Sequence, residues 1–254
     1  MTNKVSVIIP MRNEENTISS CLEALYNQKE KPLEIIVVDN LSTDNSIDKV
    51  KEKIAKFRKK NIPLKIFSCK IGNQTNARNL AVQKSRGELI CSLDSDACPD
   101  SNWIAEIEKN MQDIKIAGIG GRSTFRNKGL LFNFCYHIRY PLSILGGIYC
   151  LGGGNSAFRR NLFFKIKGFE GLEKLRKKEG ITHAKDDFYL SRKLETQGKL
   201  KYCPKMSVTL LSRVRKNQGN NYKIRPNLKD TITRAILEIK YDYKISRFFK
   251  KNLK

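Results

Sequence analysis

An α/β fold is what this chain predicts: a doubly wound, mostly parallel sheet with helices on both faces, followed by a C-terminal helical extension. Three observations carry that expectation. Strand-like and helix-like patterns alternate through the first half. The strand-like runs are apolar almost without interruption, as parallel strands covered on both faces must be. Apolar residues then recur at helical spacing from residue 227 onward. The 254 residues, 40% of them hydrophobic, suffice for one large domain with a buried core.

The elements follow in order. Residues 5–10 (VSVIIP) are a β-branched run closed by proline. Over 14–28, Ile18, Cys21, Leu22 and Leu25 fall on one helical face. Residues 34–39 (EIIVVD) make a second strand, and Ser42 or Thr43 can cap a helix running through Ile47, Val50 and Ile54 into the basic stretch 56–60. Further strands are expected over 64–67, 89–93 and 116–119, with helices over 75–84 and 103–111. This βα alternation is the signature of a doubly wound sheet. The second half is less regular: glycine-rich over 146–154, helical over 186–197, and a strand over 208–211.

Lys and Arg number 49 against 25 Asp and Glu, a formal net charge of +24. Such a surface attracts polyanions: anionic lipid headgroups, nucleic acid or phosphorylated substrates. The basic residues are spread widely and no nucleic-acid module is recognisable, so no specific nucleic acid is expected. Seven cysteines lack metal-finger spacing, and no signal peptide precedes Val5. Both features predict a reducing, cytoplasmic setting. The most apolar long stretch, 130–151, is broken by His137, Arg139 and Pro141, so no transmembrane anchor is expected.

The most informative segment is 87–99 (GELICSLDSDACP), where an apolar run ends in Asp94 and Asp96. In an extended chain these side chains point the same way. Adjacent carboxylates repel unless a cation or donor lies between them, and their hard oxygens suit Mg²⁺ or Mn²⁺ shared with phosphate. The carboxyl end of a buried strand is also where α/β sheets bind ligands. The pair reads as a clamp for a metal and a diphosphate.

Four motifs occur in order: 5–15 (VSVIIPMRNEE); 35–44 (IIVVDNLSTD); 76–79 (NARN) with Gly87, Glu88 and the Asp94–Asp96 pair; and 153–159 (GGNSAFR) with 186–190 (DDFYL). Together they resemble a family 2 glycosyltransferase with the GT-A fold. The resemblance implies an inverting, metal-dependent enzyme that moves a sugar from a nucleotide-diphosphate sugar to a hydroxyl acceptor, a glycan or a lipid-linked sugar. It places Pro10, Arg12 and Glu14 along the first loop of the donor site, Asp39 on the nucleobase and Arg78 beside the diphosphate. Asp96 and Asp94 fall on the metal, Gly153, Gly154, Asn155 and Asp186 on the acceptor side, and Asp187 on the catalytic base. It divides the chain into a nucleotide-sugar half (1–121), an acceptor half (122–221) and a basic tail (222–254).

Residue chemistry alone leaves other readings beside these. Asp39 also suits a turn cap, Glu14 a first-turn acid, Arg78 a solvated helix arginine, and Asp186 with Asp187 the acidic start of a helix. Two departures from the family pattern stand out: Asn40 and Leu41 replace the usual Asp-Gly, and no histidine follows 208–211. The only histidines are His137 and His183. A sugar nucleotidyltransferase would ordinarily show a glycine-rich N-terminal loop with a triphosphate-binding base, which PMRNE at 10–14 is not; a basic nucleic-acid-binding protein is the other alternative. In the tail, Leu228, Ile232, Ile236, Ile239 and Tyr243 form an apolar stripe flanked by lysines and arginines, with Phe248 and Phe249 near its end. That pattern suits an anionic membrane surface and predicts peripheral attachment, packing against the domain being the competing role.

Overall fold

The computed structural model describes residues 4–126, 129–130, 133, 151–179 and 186–211. Its strands are β1 (Val5–Met11), β2 (Glu34–Asp39), β3 (Leu64–Ser68), β4 (Leu89–Leu93), β5 (Ala97–Pro99), β6 (Ile116–Phe125), β7 (Asn155–Arg159) and β8 (Lys199–Leu210). They form one sheet in the order β3-β2-β1-β4-β7-β6-β8-β5. β1 to β4 are mutually parallel, β7 runs antiparallel between β4 and β6, β6 and β8 are parallel, and β5 is an antiparallel edge. The expected doubly wound sheet is present, with β7 and β5 as the strands the sequence pattern did not reveal.

Alternation along β1 assigns the two faces. Val5, Val7, Ile9 and Met11 join one cluster with α1 (Ile18–Tyr26), α2 (Ser46–Lys59) and α4 (Trp103–Asn110). Ile8 joins the other, with α3 (Gln74–Lys84), α5 (Arg160–Lys165), α6 (Leu172–Glu179) and α7 (Asp186–Glu195). Each fully buried Ile or Leu contributes roughly 1.5–3 kcal/mol to this double core. Because both faces are covered, β1, β2 and β4 are buried along their whole length.

Two helix starts differ from expectation. α1 begins at Ile18, not near Glu14, and has no acid in its first turn. α2 begins at Ser46 without a side-chain cap bond from Asn45. Ser42 and Thr43, expected as caps, instead reach back to the loop after β1. Asn13 N–H donates to Ser42 Oγ at 3.0 Å, and Thr43 N–H donates to Asn13 Oδ1 at 2.8 Å. By contrast α3 is capped by Asn73, whose Oδ1 accepts Thr75 N–H at 2.9 Å. Among the described residues, no helix is long and apolar enough to cross a membrane. The tail stripe, His137 and His183 lie outside the described residues.

Candidate active site

The carboxyl ends of the parallel strands share one edge: Met11 pairs with Asp39, Asp39 with Ser68, and β4 ends beside them at Leu93. Chain connections diverge here, β1 lying between β2 and β4, which is the switch point at which such sheets bind ligands.

Asp94 and Asp96 follow β4, but not in the extended conformation their spacing suggested. Ala97 N–H donates to Asp94 O at 3.0 Å, closing a turn that sends the chain back into β5. The alternation argument therefore does not apply to this pair. A different observation brings the acids into one neighbourhood: the Cys21 thiol donates to Asp94 O at 3.7 Å. Burial pushes the Cys21 thiol well above its ordinary value, and the nearby Cys98, Asp96, Asp94 and Glu14 push it further. Cys21, which sequence reasoning treated only as a helix-face residue, thus lies near Glu14, Asp94 and Asp96.

Arg78 is the hub of the site. Its residue is 5% exposed, so the picture of a solvated helix arginine is excluded. One Nη donates to Asp94 Oδ1 at 3.3 Å, and the other is hydrogen-bonded to Asp186 Oδ2. Burial alone would lower the guanidinium pKa, yet the charges of Asp186, Asp94 and Asp187 outweigh it and hold the value above its ordinary one. One cation thereby gathers Asp94 and the two acids at the start of α7. A small cavity of about 10 Å³, near the volume needed for one water, is lined by Arg78, Ser92, Gly153 and Asp187 among others.

The glycines press their backbone against this hub. A Cβ on Gly153 would lie 3.0 Å from Arg78 Nη2, and one on Gly154 would collide with the Asp94 carboxylate. Gly154 O also accepts Asp94 N–H at 3.2 Å, and Gly153 O accepts Ser92 Oγ–H at 2.7 Å. Asn155 does not face this space. It is 2% exposed, and its amide accepts from Trp103 Nε1 and donates to Arg122 O and Met206 O, at 2.8, 2.8 and 3.1 Å. Its side chain locks β7 to β6 and β8 and spends both amide hydrogens inside the core.

On the other side of the switch point, Pro10 is buried in β1 past the last residue paired with β4, where its missing N–H breaks no ladder bond on that side. Arg12 is exposed. Glu14 is buried and its carboxylate accepts the Thr17 hydroxyl, so it shapes the entry to α1 rather than opposing the helix dipole. Asp39 is buried and both carboxylate oxygens lie 3.3 Å from Ser42 N. That is the turn-cap geometry, and it leaves further lone pairs for a ligand donor. Asp44, which sequence reasoning missed, accepts from Ser46 and from Glu15 N–H; burial opposes ionisation, but these bonds hold its pKa below the ordinary value. The signal for it was the run of Ser, Thr, Asp and Asn over 42–46, a turn composition.

At the far edge, Leu211 N–H donates to Asp96 O at 2.8 Å, so the chain leaving β8 passes beside the acid pair where the family's histidine would stand. Here that position and its neighbours carry no histidine.

The fold is the GT-A fold of solved glycosyltransferase structures. Some 97% of the chain matches 73% of a mannosyltransferase of Pyrobaculum calidifontis in complex with GDP-Man and Mn²⁺, with a TM-score of 0.66 and 19% identity, a likeness of fold. The family model Glycosyl transferase family 2 matches residues 6–166, and the chain belongs to that family. Among curated relatives, a poly(ribitol-phosphate) beta-glucosyltransferase of Bacillus spizizenii is 35% identical over 128 residues, 47% of this chain and 20% of that protein. A dolichyl N-acetyl-alpha-D-glucosaminyl phosphate 3-beta-D-2,3-diacetamido-2,3-dideoxy-beta-D-glucuronosyltransferase of Methanococcus voltae is 32% identical over 126 residues, 47% of this chain and 39% of that protein. The chain spans well under half the length of these two relatives.

Proposed function

We propose that the protein is an inverting, divalent-cation-dependent transferase that moves one sugar from a nucleotide-diphosphate sugar to a hydroxyl on a glycan or lipid-linked acceptor. The Arg78 bridge carries this reading, because it joins the acid expected on the metal to the acids expected on the acceptor. Family membership supports glycosyl transfer, the names of the two curated relatives support a glycan or lipid-linked acceptor, and the GDP-Man and Mn²⁺ complex supports donor and ion.

Asp96, helped by Asp94, would hold Mg²⁺ or Mn²⁺. Such ions need only one or two carboxylates when phosphate and water complete the shell, so two hard oxygen donors fit, although no larger ligand group occurs among the described residues. When bound, the ion neutralises charge on the departing diphosphate. Asp187 takes the proton from the acceptor hydroxyl as that oxygen attacks the anomeric carbon from the opposite face. A single displacement uses one base and no protein nucleophile, hence inversion. Asp39 accepts an N–H of the base; Pro10, Arg12 and Glu14 shape the donor loop; Gly153, Gly154 and Asp186 form the acceptor wall. Arg78 adds positive charge beside the diphosphate. The tail, 222–254, would hold the protein on an anionic membrane by contributions of about 1 kcal/mol per basic residue.

A thermal-shift screen of UDP-, GDP- and dTDP-sugars tests the reading, since a ligand bound only by the folded state raises its stability. The melting temperature should rise with one sugar nucleotide when Mn²⁺ is present, and Asp96→Asn should abolish that rise. No response to any sugar nucleotide, with or without Mn²⁺, would sink it.

A further inference from the structure

A groove of about 520 Å³ runs between α3 and the loop that joins α5 to α6, and the proposed reaction uses none of the residues that line it. The loop is pressed onto α3. Lys167 and Gly168 have left-handed φ, 57° and 47°, and a Cβ on Gly168 would collide with the Phe163 ring and stand 2.9 Å from Asn79 Oδ1. A side chain there would hold the loop off the helix. Asn79 Oδ1 accepts Phe169 N–H at 3.4 Å, the Tyr189 hydroxyl donates to Glu170 O, and Asn73 Nδ2 donates to Glu173 Oε1 at 2.8 Å. The groove is therefore fixed by bonds from both α3 and α7. What its walls offer is hydrogen bonding without a positive field. Asn76 and Gln83 bring carboxamides from α3, each both donor and acceptor. In a chain with 49 Lys and Arg against 25 Asp and Glu, this lining carries Lys167 against Glu170 and Glu173, a balance that disfavours a polyanion. Among the described residues, one large apolar side chain of the lining is exposed: Phe164, at 43%. Arg160 stacks over its ring at 4.8 Å and Phe163 meets it at right angles, so the ring is held in place while still open to a ligand. A groove for a peptide helix would offer several spaced apolar anchors, and this one has a single ring.

We infer that this groove binds a neutral oligosaccharide, the part of an acceptor chain remote from its reacting hydroxyl. A neutral glycan presents what the walls match: hydroxyls that donate and accept, for the carboxamides, and an apolar C–H face, for the Phe164 ring. The volume falls within the range of small-ligand sites, about 300–1,000 Å³. Phe169 lines both this groove and the small cavity beside Arg78 and Asp187, so a bound chain lies one side chain away from the proposed base. The acceptor role rests on the glycosyltransferase reading; the sugar binding itself does not.

Titration calorimetry on the full chain tests this with cellotetraose, maltotetraose, mannotetraose and chitotetraose, and separately with UDP- and GDP-sugars in the presence of Mn²⁺. At least one tetrasaccharide should bind. Phe164→Ala and Gln83→Ala should each raise its Kd about two- to tenfold, the worth of one ring contact or one hydrogen bond. Both side chains are exposed, so the variants should melt as wild type does and keep wild-type affinity for whichever sugar nucleotide binds. No binding of any tetrasaccharide, or binding that either variant leaves unchanged, overturns the groove and leaves the transferase reading standing. Tetrasaccharide binding that both variants weaken, in a protein without affinity for any sugar nucleotide, upholds the groove while sinking the transferase reading and the acceptor role with it.

Discussion

Replacing Arg78 by alanine strands two carboxylates that the wild-type protein holds around one cation. The guanidinium is buried, while the Asp94 and Asp186 side chains are 28% and 18% exposed. Removing one partner of a buried ion pair costs about 3–5 kcal/mol. Water reaches both acids in part, so the lower end applies, about 3 kcal/mol. In a domain of this size each kcal/mol lowers the melting temperature by roughly 2–4 °C, which predicts a fall of about 6–12 °C. Arg78→Lys should lose about half as much, because a single ammonium cannot fork across both acids. Adding Asp186→Asn to Arg78→Ala should recover part of the loss, since one stranded charge is gone; scanning calorimetry on the four proteins of that cycle measures the coupling directly. An Arg78→Ala protein that melts within about 1 °C of wild type, less than 1 kcal/mol by the same conversion, would refute the bridge as the hub of the site.

Three further outcomes follow from the geometry. Asp187→Asn should slow turnover by about a hundred- to ten-thousand-fold with donor affinity unchanged; steady-state kinetics showing the loss in Asp186→Asn instead would move the base by one residue. Gly154→Ala should drive the Asp94 carboxylate from its place, cost about 1–3 kcal/mol and weaken Mn²⁺-dependent donor binding; a calorimetric titration identical to wild type would refute it. Glu34 is fully buried and accepts from Ser6, Arg86 N–H and Lys65. Burial opposes its ionisation, but the Lys65, Arg86 and Ser6 bonds prevail and hold its pKa below the ordinary 4.5. A depressed carboxylate stabilises above its unfolded value and loses that contribution as pH falls through the folded one. Glu34→Gln should therefore cost about 2 kcal/mol at neutral pH, with the gap to wild type closing below pH 4.5 in urea denaturation.

β1, β2 and β4 are legible in the sequence because both faces are covered and most positions select an apolar side chain. β8 is legible only over its last residues. Lys199, Lys201 and Lys205 interrupt the pattern, and Pro204 argues against a strand, yet the pairing with β6 absorbs it in an irregularity between Cys203 and Ser207. α5 and α6 escape notice because they are short and separated by Gly168 and Gly171, both at positive φ. The residues of the site are legible as motifs; their partnerships are not. Arg78 and Asp186 are 108 residues apart, and no local period reports such a contact. Asn155 shows the converse. Its neighbours Gly153 and Gly154 do touch the site, but β7 begins at Asn155 and turns that amide into the core, toward Trp103. The acid pair misleads for a similar reason, since alternation holds only within a strand and β4 stops at Leu93.

The placement of β7 also bears on the order in which the protein is made. β1 to β4 all lie within residues 5–93, so this block can assemble as soon as those residues are available. The wall against Asp94 arrives only when residue 155 returns to residue 93. A growing chain therefore lays down the β1–β4 block well before β7 closes against Asp94. A chain halted after β6 would carry that block without Gly153, Gly154, Asp186 and Asp187, the residues that surround Arg78 and Asp94.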